Sequence, residues 1–141
     1  MSKLLQRLSD ASKSGVYRTP RKNAILDATQ GSALQVARID LSGATGKEAL
    51  MERVSRALAF PRWFGGNWDA LEDCLTDLSW SSAEGHVLLI EGTGEMSGDE
   101  RGIFIDILAS AAASWADRKR PFFAVFLDGP PGLRELYKSG G

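Results

Sequence analysis

Three carboxylates in the segment PRWFGGNWDALEDCLTDL (61–78) are spaced to act together. Asp69, Glu72 and Asp73, with Thr76, stand at i, i+3, i+4 and i+7, so a helix would gather them on one face. Clustered carboxylates can share a divalent cation, or they can receive the Arg and Lys side chains of a basic partner. Just ahead of them stand Trp63, Phe64 and Trp68, three aromatics within six residues. At that density at least one is expected on the surface. Exposed aromatics beside carboxylates have the composition of an interface core except for the charge, which a basic partner would explain. The plainer reading of the same residues is structural. Aromatics ahead of a helix often pack beneath it, and acids near its start serve the cap and the macrodipole.

The surrounding charge fits two readings equally, a patch for a basic partner or a solvated surface that happens to be acidic. Between Trp63 and Glu100 there are nine acids and no Lys or Arg. Residues 1–62 carry eleven bases and five acids, and residues 101–141 six bases and four acids, for a net charge of −1. An acidic block in a near-neutral chain implies a negative patch that repels nucleic acid and attracts basic protein. A metal-dependent phosphoryl enzyme is the competing class. It lacks a phosphate-clamping Lys or Arg anywhere in the segment.

Other chemistry is sparse. The single histidine, His86, opens an apolar run and reads as a packed residue; with no second histidine, two-histidine catalysis is excluded. The lone Cys74 falls on an apolar helical stripe and cannot form an internal disulfide, which fits a reducing, cytoplasmic compartment. EGTGEMSG (91–98) has the glycines of a phosphate loop, but not its Gly-Lys-Ser/Thr ending, and it is rich in acids. No Gly-x-Ser-x-Gly elbow occurs.

The elements that must position the carboxylates follow from periodicity. Asn67 is a natural N-cap after the Gly65-Gly66 turn, and Leu71, Cys74, Leu75 and Leu78 make the buried stripe of a helix over 68–78. Upstream, Leu50, Met51, Val54, Ala57 and Leu58 predict a helix over 46–59, with Thr45 and Glu48 at capping-box spacing and Pro61 closing it. HVLLIE (86–91) and FFAVFL (122–127) read as strands buried on both faces, and LQVARIDL (34–41) as a further strand. Ser97 and Glu100 cap a long helix running to about Asp117. A short strand at 16–18 and a short helix over 23–32 precede these. Leu4, Leu5 and Leu8 form an amphipathic turn or two expected to pack on the chain's own domain. The order implies an α/β fold with three or four parallel strands.

The segment FPRWFGGNWDALEDCLTDL resembles the signature of the barstar family, intracellular inhibitors of microbial ribonucleases. The resemblance rests on Pro61, the aromatic pair Trp63-Phe64, Gly65, Asn67, apolar Trp68, Asp69-Ala70-Leu71 and Asp73. It implies a barstar-like domain over 34–128, an N-terminal extension at 1–33 and a tail at 129–141. It also implies a binding module with no catalytic residue, no cofactor and no metal. Asp73 would take the place of a substrate phosphate in the nuclease, and Asp69 would hold a second basic side chain. Trp63 would lie against the cleft wall, and Asn67, Trp68 and Thr76 would contact its rim, completing a partner surface that includes Phe64, Gly65 and Glu72. The expected partner is a basic microbial ribonuclease or related nuclease toxin, bound 1:1, rather than nucleic acid or a membrane. The chain departs from the pattern at Glu72, where the best-known member has an aromatic, and in its last helix, where Asp117 is the only acid in AAASWADRKR. A barstar-like immunity or regulatory protein with another target is the alternative. The length, 141 residues, is that of one domain, and 43% hydrophobic with 25% charged residues is ordinary for a globular chain.

Overall fold

A computed structural model describes residues 2–62, 64–130 and 132–136. The chain is α/β. Five strands, β1 (Gly15–Arg18), β2 (Leu34–Asp40), β3 (Gly85–Glu91), β4 (Phe122–Phe126) and β5 (Arg134–Glu135), form one sheet in the order β2-β3-β4-β1-β5. Every pairing is parallel, with Ile39 opposite Ile90, Leu88 opposite Ala124, and Val16 opposite Ala124. The helices are α1 (Lys3–Leu8), α2 (Lys22–Thr29), α3 (Lys47–Ala57), α4 (Trp68–Asp77) and α5 (Gly98–Asp117).

The central strands are apolar throughout because both sheet faces are covered. On one face Ile39, Leu88, Ile90, Ala124 and Phe126 meet Leu50, Met51 and Val54 of α3, Leu71 and Leu75 of α4, and Phe104, Leu108, Ala111 and Trp115 of α5. On the other, Val87, Leu89, Phe123 and Val125 meet Tyr17 of β1, Leu8 of α1, Ile25 of α2 and Leu136. Leu4 packs on this second cluster, as its amphipathic spacing led us to expect. Strand β2 lies at the sheet edge, and its exposed Arg38 and Asp40 alternate with the buried Ala37 and Ile39.

The sheet is one strand wider than the sequence pattern suggested. The additional strand is β5, in the segment read as a loosely held tail. It is two residues long, too short for any periodicity, and pairs with β1 while Leu136 behind it is fully buried. Residues 137–141 of the tail lie outside the described residues. Helix α3 is also trimmed relative to expectation. Gly46, at φ 91°, occupies its N-cap without a side-chain bond, so Thr45 and Glu48 form no capping box. The helix stops at Ala57, before Pro61, as Ala59 turns to φ 54°. The second predicted cap holds: the Ser97 hydroxyl accepts from the Glu100 amide at 3.1 Å and contacts the Glu100 carboxylate at 3.1 Å.

Candidate functional site

Helix α4 is fixed at both ends. At its start the chain turns through Gly66, at φ 71°, a backbone state glycine reaches without a Cβ penalty. Asn67 then caps the helix, its Oδ1 accepting from the Ala70 amide at 2.7 Å. Beneath, Leu71, Cys74 and Leu75 are fully buried, and Trp68 packs partly buried against the same core. At the far end Leu78 closes the helix in the left-handed conformation, its amide donating to the Cys74 carbonyl. Two side chains from the end of α5 take the neighbouring carbonyls. Trp115 Nε1 donates to Leu75 at 2.8 Å, and Arg118 Nη2 donates to Thr76. Both Arg118 and Arg120 lie over the Trp115 ring, their guanidinium carbons 3.9 and 4.8 Å from its centroid.

This frame turns the predicted carboxylates outward. Asp69 and Asp73 are exposed, while Glu72 and Thr76 are half-buried beside them. Among the described residues, none of Asp69, Glu72 and Asp73 takes part in an ion pair; the acids that do are Glu52, Glu91 and Glu135. Like charges three and four residues apart each cost a helix a few tenths of a kcal/mol, and the positive end of the macrodipole offsets part of this at Asp69. No group of three or more Asp, Glu, His or Cys among the described residues is gathered closely enough to hold a metal. The arrangement is a ridge of unneutralised charge, suited to meeting cations held by another molecule.

The family model described as "Barstar (barnase inhibitor)" matches residues 34–127, two thirds of the chain. The chain belongs to the barstar family. No curated protein matches it. The barstar match runs from β2 to the end of β4 and includes the whole of α4 and the turn before it. It leaves out α1, β1 and α2, although β1 is hydrogen-bonded between β4 and β5 in the same sheet.

The remaining predicted site residues are not all equally presented. Gly65 and Asn67 are exposed in the turn. Phe64 is half-buried and packs edge-on to Phe60, with centroids 5.0 Å apart, and Phe60 in turn meets Trp80 edge-on at 5.9 Å. Phe64 and Trp68 therefore divide their surface between the barstar core and solvent, part way between packing beneath the helix and standing on the surface. Trp63 lies outside the described residues. The sequence reading missed Trp115 and Arg118 as anchors of α4. Nothing in the spacing of Trp115 indicates where its indole N–H goes.

His86 and Cys74 belong to the support of the ridge. His86 is 1% exposed and sits 5.3 Å from the Trp115 ring. Its Nε2 meets the Ser81 hydroxyl at 3.0 Å, and that hydroxyl donates to Gln35 Oε1 at 2.9 Å. Ser81 thus accepts from Nε2–H, which leaves the buried Nδ1 as a bare acceptor without a partner. Burial, and then the nearby Arg120 charge, push the imidazole pKa down to about 4, so the ring is neutral near pH 7. Burial also pushes the Cys74 thiol up, with Asp77 and Asp73 adding to the effect, which keeps it protonated and unreactive. No helix among the described residues is long and apolar enough to cross a membrane.

Proposed function

We propose that the chain inhibits a microbial-type ribonuclease by plugging its active-site cleft with the outer face of α4 and the turn before it. The observation carrying this reading is the unpaired state of Asp69, Glu72 and Asp73 on one outward face of a helix anchored at both ends. A site that binds an RNA phosphate presents Arg and Lys, and an arginine fork accepts a carboxylate as readily as a phosphate oxygen. In this reading Asp73 takes the phosphate's place and Asp69 engages a second cation. Asn67, Trp68 and Thr76 meet the cleft rim, and Glu72 adds charge where the best-known relative offers a ring. The protein performs no turnover, binds 1:1, and works in a reducing cytoplasm, consistent with its single, buried Cys74.

Helix preorganisation matters here because α4 is ordered before the partner arrives, so the entropy of holding the carboxylates in register is not charged to binding. Complementary fields would also speed encounter and make it sensitive to salt. The test is protection of a susceptible ribonuclease in a fluorogenic RNA assay. Asp73→Ala removes a charge-assisted contact worth about 1.5–3 kcal/mol, and so should weaken inhibition roughly ten- to a hundredfold. Inhibition unchanged by that substitution would disprove the site, and no inhibition of any ribonuclease by the wild-type chain would disprove the function.

A further inference from the structure

We propose that Arg7 and Arg134 form a binding site for a phosphate group, on the sheet face opposite α4. Both residues lie outside the family match, and the site does not depend on the inhibitory role proposed above. Arg7 stands in the last turn of α1 and Arg134 in β5. Their guanidinium groups converge on one ring, the central carbons 5.7 and 4.8 Å from the centroid of Tyr17. Tyr17 is itself fixed. It is buried, stacks on Phe123 of β4, and donates its hydroxyl to the Lys13 carbonyl.

Two arginines beside one ring are normally balanced by a carboxylate. Among the described residues neither Arg7 nor Arg134 has an ion pair or a side-chain hydrogen bond. Arg7 Nε is shut off from solvent with nothing to donate to, a costly state for a charged donor. Arg134 reaches back along β1 to Gly15, where a Cβ would lie 3.1 Å from Nη2. The missing side chain at residue 15 thus leaves room for the guanidinium. The acids adjacent in the chain are engaged elsewhere. Glu135 pairs with Arg18 at 3.6 Å. Asp10 accepts from the Ser12 amide and hydroxyl at 3.0 and 2.6 Å. Those bonds, far more than the charge of Arg7, hold its carboxyl below the usual range.

The chemistry fits a phosphate better than a carboxylate. A phosphate monoester carries about −1.5 to −2 charges at pH 7 and three acceptor oxygens, against one charge on a carboxylate. Two guanidinium forks match that charge and offer planar donors to its oxygens. The ring of Tyr17 holds both forks close together, so little side-chain freedom is lost on binding.

The test is isothermal titration calorimetry of the full chain at constant ionic strength, with inorganic phosphate, adenosine monophosphate, adenosine and acetate. Phosphate or the monophosphate should bind with a dissociation constant below about 1 mM, and adenosine and acetate at least tenfold more weakly. A tighter constant for the monophosphate would identify the ligand as a phosphate ester, and a tighter one for the free ion as inorganic phosphate. Arg7→Gln and Arg134→Gln should each weaken binding about tenfold or more, whereas Lys47→Gln, at an exposed position in α3, should leave it unchanged. Circular dichroism and melting in chloride check that the variants fold. Should a glutamine variant fail, lysine at the same position keeps the charge and loses the fork, and should weaken binding severalfold. The inference is overturned if neither phosphate ligand binds below that constant, if acetate or adenosine binds equally well, if the arginine variants leave binding unchanged, or if Lys47→Gln weakens it as much as they do.

Discussion

Deleting residues 1–33 should unfold the protein, although the family match begins at residue 34. The deletion removes α1, β1 and α2, and with them Leu8, Tyr17 and Ile25, which cover the second face of the sheet. Four side chains left behind, Val87, Leu89, Phe123 and Val125, are at most 1% exposed in the intact chain. Uncovering each costs roughly 1.5–3 kcal/mol, so the four together lose roughly 6–12 kcal/mol. That equals most or all of a typical domain's stability of about 5–15 kcal/mol. Strand β5 loses its hydrogen-bonding neighbour in the same step. The assay is far-UV and near-UV circular dichroism of the fragment 34–141, with thermal melting and binding of a hydrophobic dye. A fragment that melts cooperatively within a few degrees of the full chain, without dye binding, would refute the account of the second face.

Three further outcomes are expected. Asn67→Ala should cost about 1 kcal/mol in urea denaturation, because the exposed side chain contributes only its cap bond to Ala70; a loss below experimental error would show that the cap is not formed in solution. Stability should fall as pH drops from about 6.5 toward 4, by about 3 kcal/mol at most, because the unfolded chain protonates His86 while the folded chain holds it neutral. His86→Leu should flatten that slope, which unfolding titrations across the window would detect. Gly92→Ala should be strongly destabilising in a thermal melt, because residue 92 has φ 81° and a Cβ there would lie 2.3 Å from the Ser42 amide nitrogen.

What could be read from the sequence was what has a period or a local signature. The buried runs of β3 and β4, the stripe of α4 and the Asn67 and Ser97 caps are encoded by neighbours a few residues apart, and the structure has them. The outward placement of Asp69 and Asp73 followed from helical spacing alone. What escaped depends on residues distant in the chain. A two-residue strand has no pattern, and β5 exists because β1 lies beside it. The cap of α3 looked right by spacing, yet Gly46 took the position because the turn there demands a positive φ. The indole of Trp115 reaches a carbonyl 40 residues away, and no local rule reports that.

These distant contacts explain how an acidic helix remains ordered without neutralising its own acids. Repulsion among Asp69, Glu72 and Asp73 amounts to a few tenths of a kcal/mol per pair. Against it stand the Asn67 cap, worth about 1 kcal/mol, and the indole bond to Leu75, worth about 0.5–1.5 kcal/mol. Burial of Leu71 and Leu75 contributes a further 1.5–3 kcal/mol each. The anchors therefore exceed the repulsion several times over. They do so from the underside and the two ends of the helix, leaving the outer face free of ion pairs. An internal lysine or arginine set against Asp73 would stabilise the isolated chain slightly, since exposed pairs are worth at most about 1 kcal/mol. It would also occupy the carboxylate that a cationic partner needs. Under the inhibitory role proposed above, the absence of any Lys or Arg between residues 63 and 100 keeps those carboxylates open to a cationic partner.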